Sequence, residues 1–211
     1  MKRIFSLVFL VIVSISQVTA QKNYADSLKE ELRLIKEEKT KVDLLSSLGW
    51  HCMWSYADTA LNYLRTGLQL SREIGYKSGE ANCMLQLCLV LTQTGSFTNA
   101  LDFGFKAIRI FEELLDTVGI ASSNLVIGVC YRDLGQYEQA IFHAYKGKNI
   151  IGLTKYNLDQ AFLHNISAVY EKNNQLDSAL HYGEKSYKLF KTESSLFQTL
   201  GNIHFKLFLI T

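Results

Sequence analysis

The chain has 211 residues, 48% hydrophobic, 20% charged and 12% aromatic, with no proline at all. At a usual frequency of ~5% about ten prolines would be expected, so Pro-rich linkers, polyproline segments and most loop-rich β architectures are excluded, and the apolar fraction excludes a disordered chain. Charge is nearly balanced, 22 basic against 20 acidic residues, which gives no electrostatic footprint for nucleic acid or an anionic membrane.

At the amino terminus, Lys2-Arg3 precedes an apolar run from Ile4 to Ile15 broken only by Ser6 and Ser14, followed by Gln17-Val18-Thr19-Ala20. A basic start, a short apolar stretch and small residues at the end match a secretory signal over residues 1–20, cleaved after Ala20. The run is short of the ~20 apolar residues of a membrane span. A buried N-terminal helix or an uncleaved anchor is the alternative. Removing Lys2 and Arg3 leaves 20 basic and 20 acidic groups. The expectation is an exported, periplasmic or otherwise extracytoplasmic protein. Residues 21–40 follow, with Leu28, Leu32 and Ile35 at helical spacing among Lys and Glu. They predict a capping helix from Tyr24 to Lys39.

Beyond residue 40 the chain repeats itself. Ala60, Ala100, Ala140 and Ala179 are spaced by 40, 40 and 39 residues, and each precedes an aliphatic residue: Leu61, Leu101, Ile141 and Leu180. Phe97, Tyr137 and Leu176 stand three positions earlier, and Gly95, Gly135 and Asn174 two further back. Upstream of each turn lies another helix marked by Leu48-Gly49, Leu87-Cys88, Ile127-Gly128, Ile166-Ser167 and Leu200-Gly201. Three to five residues on come Cys52, Leu91, Tyr131, Tyr170 and His204. Small residues at fixed sites let paired helices approach closely, and a large neighbour fills the space beside each.

This pattern resembles the tetratricopeptide repeat (TPR), whose units carry Leu-Gly and Tyr in a first helix, a Gly-x-Tyr turn, and Ala with further small residues in a second. The resemblance implies an all-α fold, a right-handed α-solenoid of antiparallel helix pairs. Four repeats occupy residues 41–193, and residues 194–211 supply the first helix of a fifth, incomplete one. The spacing departs from the 34 residues usual for the family, the first copy is one residue short in its turn, and the family's proline is missing from every copy. Gly75, Gly119 and Gly152 are expected to stop the second helices in the left-handed conformation. Asn157-Leu158-Asp159-Gln160 reads as a capping box. A repeat that stops midway through its unit implies a longer working molecule.

No catalytic constellation and no phosphate-cradling glycine loop is present, so no enzyme activity and no cofactor is expected. His181 and Glu184, three apart, make a solvated pair more readily than a metal site, so no metal is expected. Cys52, Cys83, Cys88 and Cys130 read as small core residues, with a Cys52–Cys88 bridge as the alternative.

The resemblance implies a concave face lined by the first helices. Its positions map onto Asp43, Ser46, Trp50, Met53 and Trp54 in the first repeat, and onto Asn82, Leu85, Leu89, Thr92 and Gln93 in the second. In the third they are Ser122, Leu125, Val129, Arg132 and Asp133, and in the fourth His164, Glu171 and Lys172. Of these, Trp50, Met53, Trp54, Leu85, Leu89, Leu125, Arg132, His164 and Glu171 are the candidate partner-binding residues, Trp and Arg being the types that anchor interfaces. The clamp used by the family's chaperone-tail binders is absent, its positions being Ser46, Leu85, Leu125 and His164. A signal peptide followed by such repeats is similar to the exported sensor region of bacterial TPR-containing histidine kinases or helix-turn-helix regulators. The function so implied is a non-enzymatic solenoid that binds a protein or peptide, not nucleic acid, as the extracytoplasmic input of a signalling protein, with membrane anchoring through a C-terminal extension. A free periplasmic adaptor for envelope assembly is the alternative.

Overall fold

A computed structural model describes residues 30, 32, 34–152 and 159–189, and among them it contains helices and turns with no strand. The signal segment 1–20, the fifth-repeat segment 194–211, and Asn157 and Leu158 of the expected capping box lie outside the described residues. Eight helices follow in order: α1 (Glu38–Cys52), α2 (Ala57–Glu73), α3 (Lys77–Gln93), α4 (Phe97–Glu113), α5 (Thr117–Asp133), α6 (Tyr137–Ile151), α7 (Asp159–Lys172) and α8 (Leu176–Leu189). The chain divides into two compact units between Cys83 and Met84, inside α3. In the first unit α1 packs on α2. In the second, α4 packs on α5, α5 on α6, α6 on α7 and α7 on α8, and α5 also meets α7 directly.

The 40-residue spacing has a simple origin. Helices α2, α3, α4 and α5 are each 17 residues long, and three-residue turns connect them, so each half-repeat takes twenty residues. The turns share one design. Gly75, Gly95, Leu115 and Gly135 adopt φ of 67°, 77°, 54° and 81°, and Asn174 does the same at 58°. The N–H of each such residue donates three residues back, as Gly95 does to the Thr92 carbonyl at 3.1 Å. The next N–H reaches five back, as Ser96 does to Leu91 at 2.8 Å and Gln136 to Tyr131 at 2.8 Å. This double bond pattern closes a helix by satisfying its last carbonyls. Asp116, following Leu115, then caps α5 by accepting a hydrogen bond from the Gly119 N–H at 2.9 Å.

These turns correct part of the reading of the glycines. Gly75 stops α2 as expected. At the next exit the left-handed residue is Leu115, because Asp116 must stand beyond it to cap α5; Gly119 lies inside that helix, buried against Phe111. Gly152 is right-handed, with φ −60°. The turn after α1 has no left-handed residue: Ser55 and Tyr56 both donate to the Cys52 carbonyl, the local outcome of the residue missing there. The helix expected from Tyr24 to Lys39 is interrupted, since residues 35–37 are non-helical and α1 begins at Glu38. Leu32 and Ile35 nonetheless pack with Tyr63 against Leu44 and Leu48.

Small residues set the helix spacing. The four aligned alanines are fully buried. Ser167 donates to the carbonyl of Ala179 at 2.7 Å, and a Cβ on Gly128 would sit 3.2 Å from the Ala140 carbonyl, so these two small first-helix residues lie over the alanine of the partner helix. Gly147 of α6 is the tightest contact with backbone: a Cβ there would come 2.9 Å from the Ala121 carbonyl and 2.5 Å from the Phe162 ring. Phe162, Ala121 and Ile151 form one buried cluster at this point.

Two stability changes follow. Alanine is intrinsically better than glycine in a helix by ~1 kcal/mol, yet Gly147→Ala will destabilise the chain by roughly 1–3 kcal/mol through overpacking. Leu115 is 85% exposed and pays the ~1–2 kcal/mol of a left-handed non-glycine residue, only part of which the greater unfolded-state freedom of glycine offsets. Leu115→Gly will therefore stabilise by about 0.5–1 kcal/mol. Urea denaturation of both variants measures the two signs.

Candidate functional site

The first helices α5 and α7 bring a polar cluster together in the second unit. Arg132, near the end of α5, grips its neighbour Asp133 with two hydrogen bonds, Nε to Oδ1 at 3.0 Å and Nη2 to Oδ2 at 3.1 Å. Its remaining amino group crosses to α7 and donates to Asn165 Oδ1 at 3.1 Å. Lys172 of α7 returns to Asp133 at 3.2 Å. Asn165 is buried, and its Nδ2 has no hydrogen-bond partner among the described residues. An unmatched buried donor costs ~1–3 kcal/mol.

Electrostatics follow from this packing. Burial pushes the Asp133 carboxyl up, and the hydrogen bonds and charges of Arg132 and Lys172 more than reverse that, holding it below the usual carboxylate range. His164 shares the neighbourhood: burial, then the Arg132 charge, lower its pKa, while Glu171 pulls the other way. Arg132, His164 and Glu171 are thus brought within one another's electrostatic reach, and Arg132 and Asp133 are bonded into it on α5. Leu125 is partly buried against the Ala121, Ile151 and Phe162 cluster. Leu85 and Leu89 are half-buried on α3. In the first unit Trp50 and Trp54 are 46% and 65% exposed, whereas Met53 is 2% exposed and belongs to the core. The missed members are Asn165 and the Asp133–Lys172 pair as a bonded unit.

Other titratable groups are structural. His143 of α6 is buried with its Nδ1 3.0 Å from Asn124 Oδ1, and its ring is stacked on Tyr131 at 5.4 Å. Burial, with some help from Lys146, lowers its pKa to about 4. Cys52, Cys83, Cys88 and Cys130 are all buried, and none is in a disulfide. Burial pushes the Cys83 and Cys88 thiols up to about 12, so neither is a ready nucleophile. Among the described residues no three His, Cys, Asp or Glu side chains come together to hold a metal ion, and no helix is long and apolar enough to cross a membrane.

No family profile matches the chain. It is 28% identical over 151 residues to the transcriptional activator NprA of Geobacillus stearothermophilus, a match that covers 70% of this chain and 36% of that protein. Among solved structures, NprR in complex with its cognate peptide NprX superposes with a TM-score of 0.70 at 21% identity, over 90% of this chain and 57% of NprR. A Rap protein complexed with competence and sporulation factor gives 0.70 at 19% identity, over 87% of this chain and 52% of Rap. The chain has a TPR-like helical-repeat fold, all-α and built of antiparallel helix pairs, similar to that of NprR and Rap. It spans about a third of the length of the curated relative, 36%.

These likenesses correct the expectation of an exported, periplasmic protein. NprA is a transcriptional activator, and NprA, NprR and Rap are cytoplasmic proteins. The likeness found among solved structures is to the TPR-type regulators NprR and Rap. The basic-then-apolar start that suggested a signal is a short compositional pattern, whereas the match to NprA extends over 151 residues.

The His143 shift carries a pH dependence with a definite sign. The unfolded chain binds a proton at this residue below its ordinary pKa of 6.5, and the folded chain resists until about 4. Stability is therefore fully present above pH 6.5 and declines as pH falls towards 4, with His164 adding in the same direction. Urea denaturation across this range will show a shallower decline for His143→Gln, by close to one bound proton.

Proposed function

We propose that this chain is the peptide-binding, non-enzymatic part of a regulator, and that it takes its ligand on exposed faces of the first helices. The observation that carries the reading is the Arg132 cluster: a charged network that ties α5 to α7, with an arginine and a buried amide donor at its centre. A guanidinium and an amide of this kind recognise the carbonyl and carboxylate groups every peptide offers. Fold likeness to NprR bound to NprX and to Rap bound to competence and sporulation factor supports the same ligand class.

Within the second unit the proposed contacts are Arg132, His164 and Glu171, flanked by Leu85, Leu89 and Leu125. In the first unit they are Trp50 and Trp54, whose exposure leaves them free to take an apolar side chain. Met53, being buried, belongs to the core and is left out of the surface.

Linear peptides selected from a random library on the full chain provide the probe. Affinity, measured by fluorescence anisotropy, will fall about tenfold or more in Arg132→Ala for peptides taken by the second unit, and in Trp54→Ala for peptides taken by the first, as expected for interface anchors, while helicity in circular dichroism is unchanged. Peptides that bind both variants as tightly as the parent chain would refute the assignment of the surface.

A further inference from the structure

A cleft of about 410 Å³ lies between α6, α7 and α8, and none of the Arg132 cluster lines it. Its volume is that of a small-molecule site. Lys148 enters from α6, and Lys185 and Lys188 from α8, against a single lining carboxylate, Asp159 of α7. Lys148 already pairs with that carboxylate at 3.4 Å. Among the described residues Lys185 and Lys188 have no ion-pair partner, and Lys185 rests over the Tyr182 ring, 5.7 Å from its centroid. The lining therefore has a surplus of two positive charges.

Two phenols add to it. The hydroxyls of Tyr145 and Tyr182 are 2.5 Å apart, and the Tyr182 ring is held in place by stacking on Tyr170 at 5.5 Å. Burial, and then the bond to Tyr182, push the pKa of Tyr145 up. Their mutual hydrogen bond uses one proton and leaves the second to donate outward. Around it the cleft presents ammonium donors, while Leu163 and Leu189 supply an apolar wall.

We propose that this cleft binds a phosphate monoester, with the dianionic phosphate between Lys185, Lys188 and the tyrosine pair and the apolar body of the ester against Leu163 and Leu189. Charge decides between anions. A phosphate monoester carries ≈ −1.5 to −2 at pH 7 and three acceptor oxygens, matching two unpaired ammonium groups and a phenol; a carboxylate would leave one ammonium group without a counter-charge. The site is independent of the peptide surface proposed above.

Calorimetric titration of the full chain at fixed ionic strength tests it, with phenyl phosphate, inorganic phosphate and phenylacetate as probes. Phenyl phosphate should bind more tightly than either of the others. The double variant Lys185→Gln with Lys188→Gln should weaken it about tenfold or more, while Lys106→Gln, on α4 beside Asp102, leaves it unchanged. Tyr182→Phe, which keeps the ring on Tyr170 and removes the donor, should also weaken it, and decides the matter if the double variant loses helicity. Undiminished affinity in these variants, or inorganic phosphate binding as tightly as the ester, would each overturn the proposal.

Discussion

One left-handed residue at the end of each helix from α2 to α5, and again after α7, is the constraint on which the regular part of the fold depends. At Gly75, Gly95, Leu115 and Gly135 the chain reverses in three residues, and two backbone N–H groups close the helix just finished. Because a helix advances about 100° per residue, a turn one residue longer would rotate the buried face of the next helix away from its partner. Helices of 17 residues joined by identical turns keep Ala60, Ala100 and Ala140 in equivalent buried positions. Helices α6 and α7 are shorter, 15 and 14 residues, and the step from Ala140 to Ala179 is 39 residues.

Close approach then determines what polar chemistry the interior can hold. Where Gly128 and Ser167 admit the neighbouring helix, a backbone carbonyl comes into reach, and Ser167 satisfies itself on Ala179. Asn124 and His143 solve the same problem with each other inside a ring of aromatic groups. In the first unit, Glu80 is buried yet ionised: burial pushes its carboxyl up, and Lys77 and Arg72, bonded at 2.8 Å and 2.9 Å, bring it below the usual range. Each of these groups finds a partner close by, as low-dielectric surroundings demand.

Much of the helix-pair pattern was legible in the sequence, because it rests on residue types with few alternatives. A fully buried alanine and a left-handed glycine or asparagine announce themselves by spacing, and Gly95, Gly135 and Asn174 stand where the repeat placed them. Leu115 escaped notice because glycine is the usual sign of that conformation and Gly119 is close by. The rhythm of 75, 95 and 135 would have located it, and Asp116 is the cap that follows. The site was less legible. Arg132 and Asn165 are 33 residues apart, and their meeting depends on the register of two first helices, which residue types alone do not set. Exposure of Trp50 and Trp54 and burial of Met53 likewise depend on how α1 ends, where the turn is one residue short. For the compartment, the likeness to NprA, a transcriptional activator, overturns the expectation of export drawn from the composition of the first twenty residues.

The turn design also explains why proline has no place in this chain. At each exit the left-handed residue and the one after it both donate through their backbone N–H groups, and proline has neither the donor nor the required φ. With every peptide bond of the secondary-amide type, the denatured chain lacks the population of wrong X–Pro isomers that delays refolding by tens of seconds in ordinary proteins. Recovery of structure is left to local helix pairing between near neighbours, a low-contact-order search that is intrinsically fast.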